Sequence, residues 1–301
     1  MRQLTRYMAT AGLFLAVSLT WGTTWMAMKL ALVSFPPLFA TGLRFLIAAP
    51  MLVALTLRAN KPLLFPRGKR KFQVLLAVFY FSIPFTLMIY GEETVSSGMA
   101  ALLFSVMPVA VVITSWMFLG HTITRIQAMG VIIVMVALGM IILTESGTTE
   151  IESGKGVVAI LMAVSLHAVV YVLCRKHCAG ISVLTYNALP CLGAAVLLLG
   201  CSFFDEHIHA LTITATAIYA VVYLGGVAGV LGIMAYFQLQ KRVFPFYASL
   251  VYFVFPLIAI TLEDYLTHHK IAVISEVMAV VFLFGIAFVI YPLWPSSLKR
   301  E

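Results

Sequence analysis

What this chain has least of is charge: 10% of its residues are Asp, Glu, Lys or Arg, against 62% that are hydrophobic. A soluble globular chain carries about 25% charged residues. This one has too little polar surface to face water on all sides, and lipid must cover the remainder; a mean hydropathy of +1.07 agrees. Motifs of soluble catalysis are also missing. There is no G-x-x-x-x-G-K-[ST] loop to cradle nucleotide phosphates, no H-E-x-x-H pair to hold zinc, and no G-x-S-x-G elbow to present a nucleophile. No cofactor and no ATP-driven step are therefore expected. The four cysteines, Cys174, Cys178, Cys191 and Cys201, show no metal-site spacing. Cys174 and Cys178 flank Arg175-Lys176-His177 in a predicted cytoplasmic loop, where thiols stay reduced. The net charge of +8 would suit nucleic acid, but the basic residues lie in short loops between apolar segments, so no nucleic-acid partner is expected.

What is present is a succession of apolar runs. A spanning helix needs about 20 mostly apolar residues. Ten segments meet that: 9–32, 37–57, 72–91, 95–119, 125–144, 156–175, 182–203, 212–238, 244–263 and 271–292. They are called spans 1 to 10 below. Span 1 follows Met1-Arg2-Gln3-Leu4-Thr5-Arg6 and runs longer than a signal-peptide core, without a clear small-residue cleavage site; it reads as an uncleaved span. The fold class is all-α integral membrane.

Placing the N-terminus in the cytoplasm puts Arg2, Arg6, Arg58, Lys61, Arg67, Lys69, Arg70, Lys71, Arg125, Arg175, Lys176, Lys241, Arg242, Lys299 and Arg300 on the inner side, 15 of the 19 basic residues. Outer loops hold Lys155 and Lys270, with most of the acids. The bias of Lys and Arg in short loops sets orientation. Both termini are expected in the cytoplasm, in a multi-pass protein of the cell (inner) membrane.

The chain also echoes itself. Ala16-Val17-Ser18-Leu19 returns as Ala163-Val164-Ser165-Leu166, 147 residues later. Gly98-Met99-Ala100-Ala101-Leu102 leads to Pro108, as Phe246-Tyr247-Ala248-Ser249-Leu250 leads to Pro256, 148 residues on. Two echoes in one register point to a duplicated unit. Five spans per half is odd, so the second half enters the membrane from the opposite side. The expected architecture is ten transmembrane helices in two inverted five-helix repeats. Their boundaries are 9–144 and 156–292, with an extracytoplasmic linker at 145–155 and a cytoplasmic tail at 293–301.

The sequence resembles the drug/metabolite transporter superfamily, in particular its ten-helix EamA type. The residues that carry this are Trp21-Gly22-Thr23-Thr24-Trp25 in span 1 and the arginine of Gly42-Leu43-Arg44-Phe45-Leu46 in span 2. Ser97-Gly98-Met99-Ala100-Ala101-Leu102-Leu103 through Pro108 and Leu119-Gly120 in span 4 add to it. Members usually carry a glutamate after Leu-Gly; here His121 follows, and His268-His269 holds the equivalent place in the second half. The resemblance implies a secondary transporter that exports a small organic metabolite, an amino acid or similar. It works by alternating access, one repeat rocking against the other, coupled to protons or run as exchange. The alternative is a non-transporting membrane protein, either an embedded enzyme or an assembly subunit. Expected partners are the solute, protons and the lipid bilayer, with the chain a monomer or homodimer.

Polar and aromatic residues inside the bilayer need a reason. Trp21 and Trp25 stand four apart and share a face of span 1, either to stack on a solute or to pack. His167 and Tyr171 form the matching pair in span 6; His167 is a coupling candidate, or a histidine bonded to a neighbouring helix. Arg44 can hold a substrate carboxylate by two points, or pair with Glu92 or Glu93. Gly225, Gly229 and Gly232 form a small-residue stripe ending at Tyr236, for close packing or as a cavity wall. In span 4, Gly98, Ala101, Ser105 and Pro108 recur at helical spacing, and in span 9 Phe246, Ser249, Phe253 and Pro256 take the same places. The expected binding set is Trp21, Trp25, Ser105, His167, Tyr171, Tyr236 and Ser249, with Arg44 as an anion contact.

Overall fold

A computed structural model of the chain describes residues 2–145, 150–178, 180–206, 212–243, 248, 250–267 and 272–291, with side chains except those of 2–7, 145, 150–153 and 175. The described residues form helices and turns and contain no strand. Nine helices among them are long and apolar enough to cross a membrane: Met8–Leu32, Pro37–Arg58, Arg67–Gly91, Ser97–Leu119, Arg125–Thr144, Gly154–Cys174, Val183–Asp205, Ala215–Arg242 and Val273–Ile290. These are spans 1 to 8 and 10. Span 9 is the helix Val251–Thr267, 17 residues long, and its predicted start at 244–247 lies outside the described residues. Nine described helices of this length and apolarity make the chain a multi-pass membrane protein.

Local chemistry sets the helix ends. Pro37 opens span 2 at a position where a missing N–H costs nothing. Ser96 and Thr214 cap the starts of spans 4 and 8, accepting from Met99 N at 3.2 Å and Ala217 N at 3.3 Å. Gly120 closes span 4 with φ +67°, a left-handed cap that suits glycine. Within the spans, hydroxyls turn back on their own helix: Thr20, Thr24, Thr41, Thr56, Thr114 and Ser165 each donate to the carbonyl four residues earlier. This is how an apolar environment tolerates them.

Prolines account for the irregularities of spans 3 and 4. Pro108 cannot donate to the Phe104 carbonyl, and span 4 breaks there into Ser97–Phe104 and Met107–Leu119, with Ser105 at the joint. Pro84 cannot donate to the Tyr80 carbonyl, and span 3 widens into π-helical turns over Ala77–Ser82, so that Ile83 N reaches Val78 O. Span 8, the expected counterpart of span 3, carries π-helical turns over Tyr223–Gly232.

The helices gather into two compact units, and neither coincides with a sequence half. The first comprises Met1–Met26, Thr94–Val157 and Gly232–Glu301; the second comprises Ala27–Glu93 and Val158–Leu231. In the first unit, span 5 packs along span 10 and span 4 along span 9. Gly130 lets span 5 approach the span 10 backbone: a Cβ there would sit 2.7 Å from Gly285 O and 2.8 Å from Val289 N. At the start of span 4, Glu263 from span 9 accepts the N–H of Ser97 at 3.0 Å and of Gly98 at 2.8 Å. The second unit repeats the device. Span 2 packs along span 7, and Glu206, just past the end of span 7, accepts the N–H of Leu38 at 2.8 Å and of Phe39 at 2.9 Å. Each carboxylate satisfies orphan donors at a helix start and complements its positive dipole end. The other end of the second unit is tied by Lys69, which donates to His177 O at 2.7 Å, over a cluster of Phe65, Leu76, Val170 and Cys178.

Candidate functional site

In the first unit the candidate residues assemble around Trp21. Its indole is half-buried and meets Tyr236 at 4.7 Å, Tyr252 at 5.9 Å and Phe255 at 6.3 Å between ring centroids. Tilted and edge-on arrangements of this kind are the favoured ones for aromatic pairs. Gly22 makes the approach possible, since a Cβ on it would stand 2.7 Å from Ile258 and 2.9 Å from the Phe255 carbonyl. Trp25 is on the same face one turn on but has a different setting: 2% exposed and packed on Phe104 at 5.4 Å. Ser105 is fully buried and donates to Leu102 O at 2.8 Å. Ser249 lies outside the described residues.

In the second unit two cationic candidates share one ring. The Arg44 guanidinium lies over Phe85, 4.6 Å from its centroid, and His167 meets the same Phe85 edge-on at 5.2 Å. His167 is 4% exposed, and its Nε2–H donates to Tyr80 O at 3.1 Å. That carbonyl is the one Pro84 leaves without its helical donor, so span 3 irregularity and histidine placement have one cause. Tyr80 also meets the imidazole edge-on at 5.1 Å. Phe45 and Phe81 complete the ring set at 5.2 and 6.3 Å from Phe85. Arg44 does not take the ion-pair option: among the described residues no carboxylate lies within ion-pair distance, and its Nη1 donates to Met28 Sδ at 3.7 Å. Tyr171 is 38% exposed and outside this ring set. Gly225 serves packing, its Cα facing the Arg44 carbonyl and Ile47.

The EamA-like transporter family model matches residues 8–143 and again 154–291. The chain belongs to the EamA-like transporter family. It is 46% identical over 274 residues to Protein PagO of Salmonella typhimurium (strain LT2), covering 91% of this chain and 90% of that one. It is 47% identical over 254 residues to a protein of Buchnera aphidicola subsp. Schizaphis graminum named as an uncharacterized transporter, covering 84% and 85%. A protein of known crystal structure shares the fold with a TM-score of 0.68 at 17% identity, over 98% of this chain and 99% of that one. The chain is thus a membrane transporter and not an enzyme, which sets aside the embedded-enzyme alternative.

In this EamA-like transporter the motif residues serve different ends. Of the tryptophan pair, Trp21 joins the aromatic group and Trp25 packs. His121 is exposed beyond Gly120, while His268 and His269 fall outside the described residues. Phe85, Tyr80 and Tyr252 are the members that sequence reasoning missed. One signal was available: Tyr80 stands four residues before Pro84, which frees its carbonyl. Phe85 carries no such mark among 21 phenylalanines.

Proposed function

We propose that this transporter is a secondary carrier that moves a small organic solute out of the cell, across the cell (inner) membrane, by alternating access. The observation that carries the reading is the half-buried Trp21 indole with Tyr236 and Tyr252 around it. Sites for organic ligands are mainly aromatic and apolar, with a few placed polar groups, and two phenols beside an indole have that character. Trp21 and Tyr236 are the principal solute contacts; Trp25 and Ser105 stand behind them as support. His167 is the coupling candidate of the second unit, and a counter-solute is the other source of drive. Export follows the resemblance.

Two inverted five-helix repeats, with both termini cytoplasmic, are part of the same proposal. Three features support the repeat: spans 2, 4 and 5 pack along spans 7, 9 and 10, their expected counterparts; π-helical turns occur in both span 3 and span 8; and the family model matches twice. Discontinuous helices are a common feature of such sites, and span 4 is one.

The experiment is counterflow of a metabolite panel in proteoliposomes, followed by Trp21→Ala on any solute that exchanges. Loss of the aromatic contact should cost about 0.5–1.5 kcal/mol beyond lost area, so affinity should fall about tenfold. Phe284→Ala, on a side chain 64% exposed in span 10, is the control. Equal behaviour of the two variants would remove Trp21 from the site.

A further inference from the structure

Arg44 is only 7% exposed, and its partners do not account for it. Its guanidinium carbon lies over the Phe85 ring, 4.6 Å from the centroid. Nη1 donates to a thioether sulfur, Met28 Sδ, at 3.7 Å, and thioethers are weak acceptors. Nε is buried without any hydrogen-bond partner. A buried charge with unfilled donors is costly in a membrane protein and marks a functional position. The surrounding polar groups are directed elsewhere. His167 donates to Tyr80 O. Cys191 Sγ donates to the Phe45 carbonyl at 3.7 Å. Glu92, fully buried at the end of span 3, acts on Arg44 through space only, beyond ion-pair distance.

With Nη1 on Met28, the donors left over lie on the Nε edge, a fork that matches a carboxylate by two parallel bonds. Phe45 lies 6.0 Å from the guanidinium carbon on another side, and Phe81 packs with both rings, the three centroids standing 5.2 to 6.3 Å apart. Such a lining disfavours a hydrated inorganic anion and suits an acid with an apolar body. We propose that Arg44 is an anion-binding point that takes the carboxylate of a small aryl or alkyl organic acid, its Nε edge supplying the two-point contact. The proposal rests on the transport reading only in calling that anion the cargo.

The test compares 3-phenylpropionate with 3-phenylpropionamide, two probes of one shape and different charge, on the full chain in detergent by titration calorimetry. The carboxylate should bind at least tenfold tighter than the amide. Arg44→Gln should abolish that preference. Arg44→Lys keeps the charge without the fork; it should lower carboxylate affinity at least tenfold, and it stands in if the glutamine variant does not fold. Glu92→Gln should keep the preference, since Glu92 does not occupy the fork. Equal binding of the two probes to the unaltered protein, no binding of either at millimolar concentration, or a preference that survives both Arg44 variants overturns the proposal. Counterflow of 3-phenylpropionate is read separately. Selective binding without counterflow leaves the anion site standing and refutes the transport of that acid; counterflow that is indifferent to Arg44→Lys does the reverse.

Discussion

Replacing Glu263 with glutamine should loosen the joint between spans 4 and 9, and the geometry sets the size of the effect. Glu263 is 7% exposed and accepts two backbone N–H groups, at 3.0 and 2.8 Å. Glutamine keeps one acceptor oxygen and turns an NH2 toward the other donor. Hydrogen bonds to charged groups contribute about 1.5–3 kcal/mol each, and the lost helix-end charge adds about 0.3–1 kcal/mol. A total loss of about 2–4 kcal/mol follows. Gly98→Ala attacks the same contact from the other side, because its Cβ would stand 2.8 Å from Glu263 Oε2, 3.0 Å from Ile260 Cγ1 and 3.2 Å from Ile260 Cα. Overpacking of that kind costs about 1–3 kcal/mol. Since both changes act largely through the carboxylate, the double variant should cost less than the two single variants together, by about 1 kcal/mol or more. Equilibrium unfolding of the full chain in mixed detergent micelles measures all four corners of the cycle. Additivity within about 0.5 kcal/mol would refute the clamp, leaving Gly98 as a packing glycine beside Ile260.

Gly130→Leu should separate spans 5 and 10 and lower the unfolding midpoint, whereas Gly139→Leu, where a Cβ would meet nothing within 4 Å, should not; the same micelle assay compares them. If His167 carries a proton, His167→Gln should retain solute binding and lose uptake driven by a pH gradient, and unchanged pH dependence would assign it to packing alone. Burial, and then the charge of Glu206, hold the Glu93 carboxyl above its ordinary value, against the pull of Lys29. A raised value means the ionised form is disfavoured in the fold, so Glu93→Gln should be slightly stabilising at neutral pH and lose that advantage as pH falls through the raised value down to the ordinary carboxylate range; a gain confined to acid pH would reverse the argument. Cysteines placed in the 58–71 loop should react with membrane-impermeant maleimide only from the cytoplasmic side, and labelling from outside would overturn the proposed orientation.

The spans were legible because membrane insertion imposes a local rule, a run of apolar residues of fixed minimum length. In the structure Pro37, Thr214 and Gly120 bound helices for equally local reasons. Trp21 and Arg44 stood out as costly residues in such runs. Their partners did not, because nothing near Trp21 in the sequence points to Tyr252, and nothing near Arg44 points to Phe85. The two carboxylate clamps were hidden for a related reason. Glu206 and Glu263 sit among acids at the ends of spans, where solvation is the ordinary explanation, and only the packing of helices about 165 residues apart shows which donors they meet.

Those clamps bear on how the chain is made. Spans 2 and 4 leave the ribosome early, yet the groups that satisfy their first N–H donors, Glu206 and Glu263, are synthesised later, beyond spans 6 and 8. Both compact units likewise draw on early and late segments. The first five helices therefore cannot reach their final state as they emerge. Until the second half has been made, the starts of spans 2 and 4 must find other acceptors, water among them. Each carboxylate thus completes a helix start that lies about 165 residues before it in the chain.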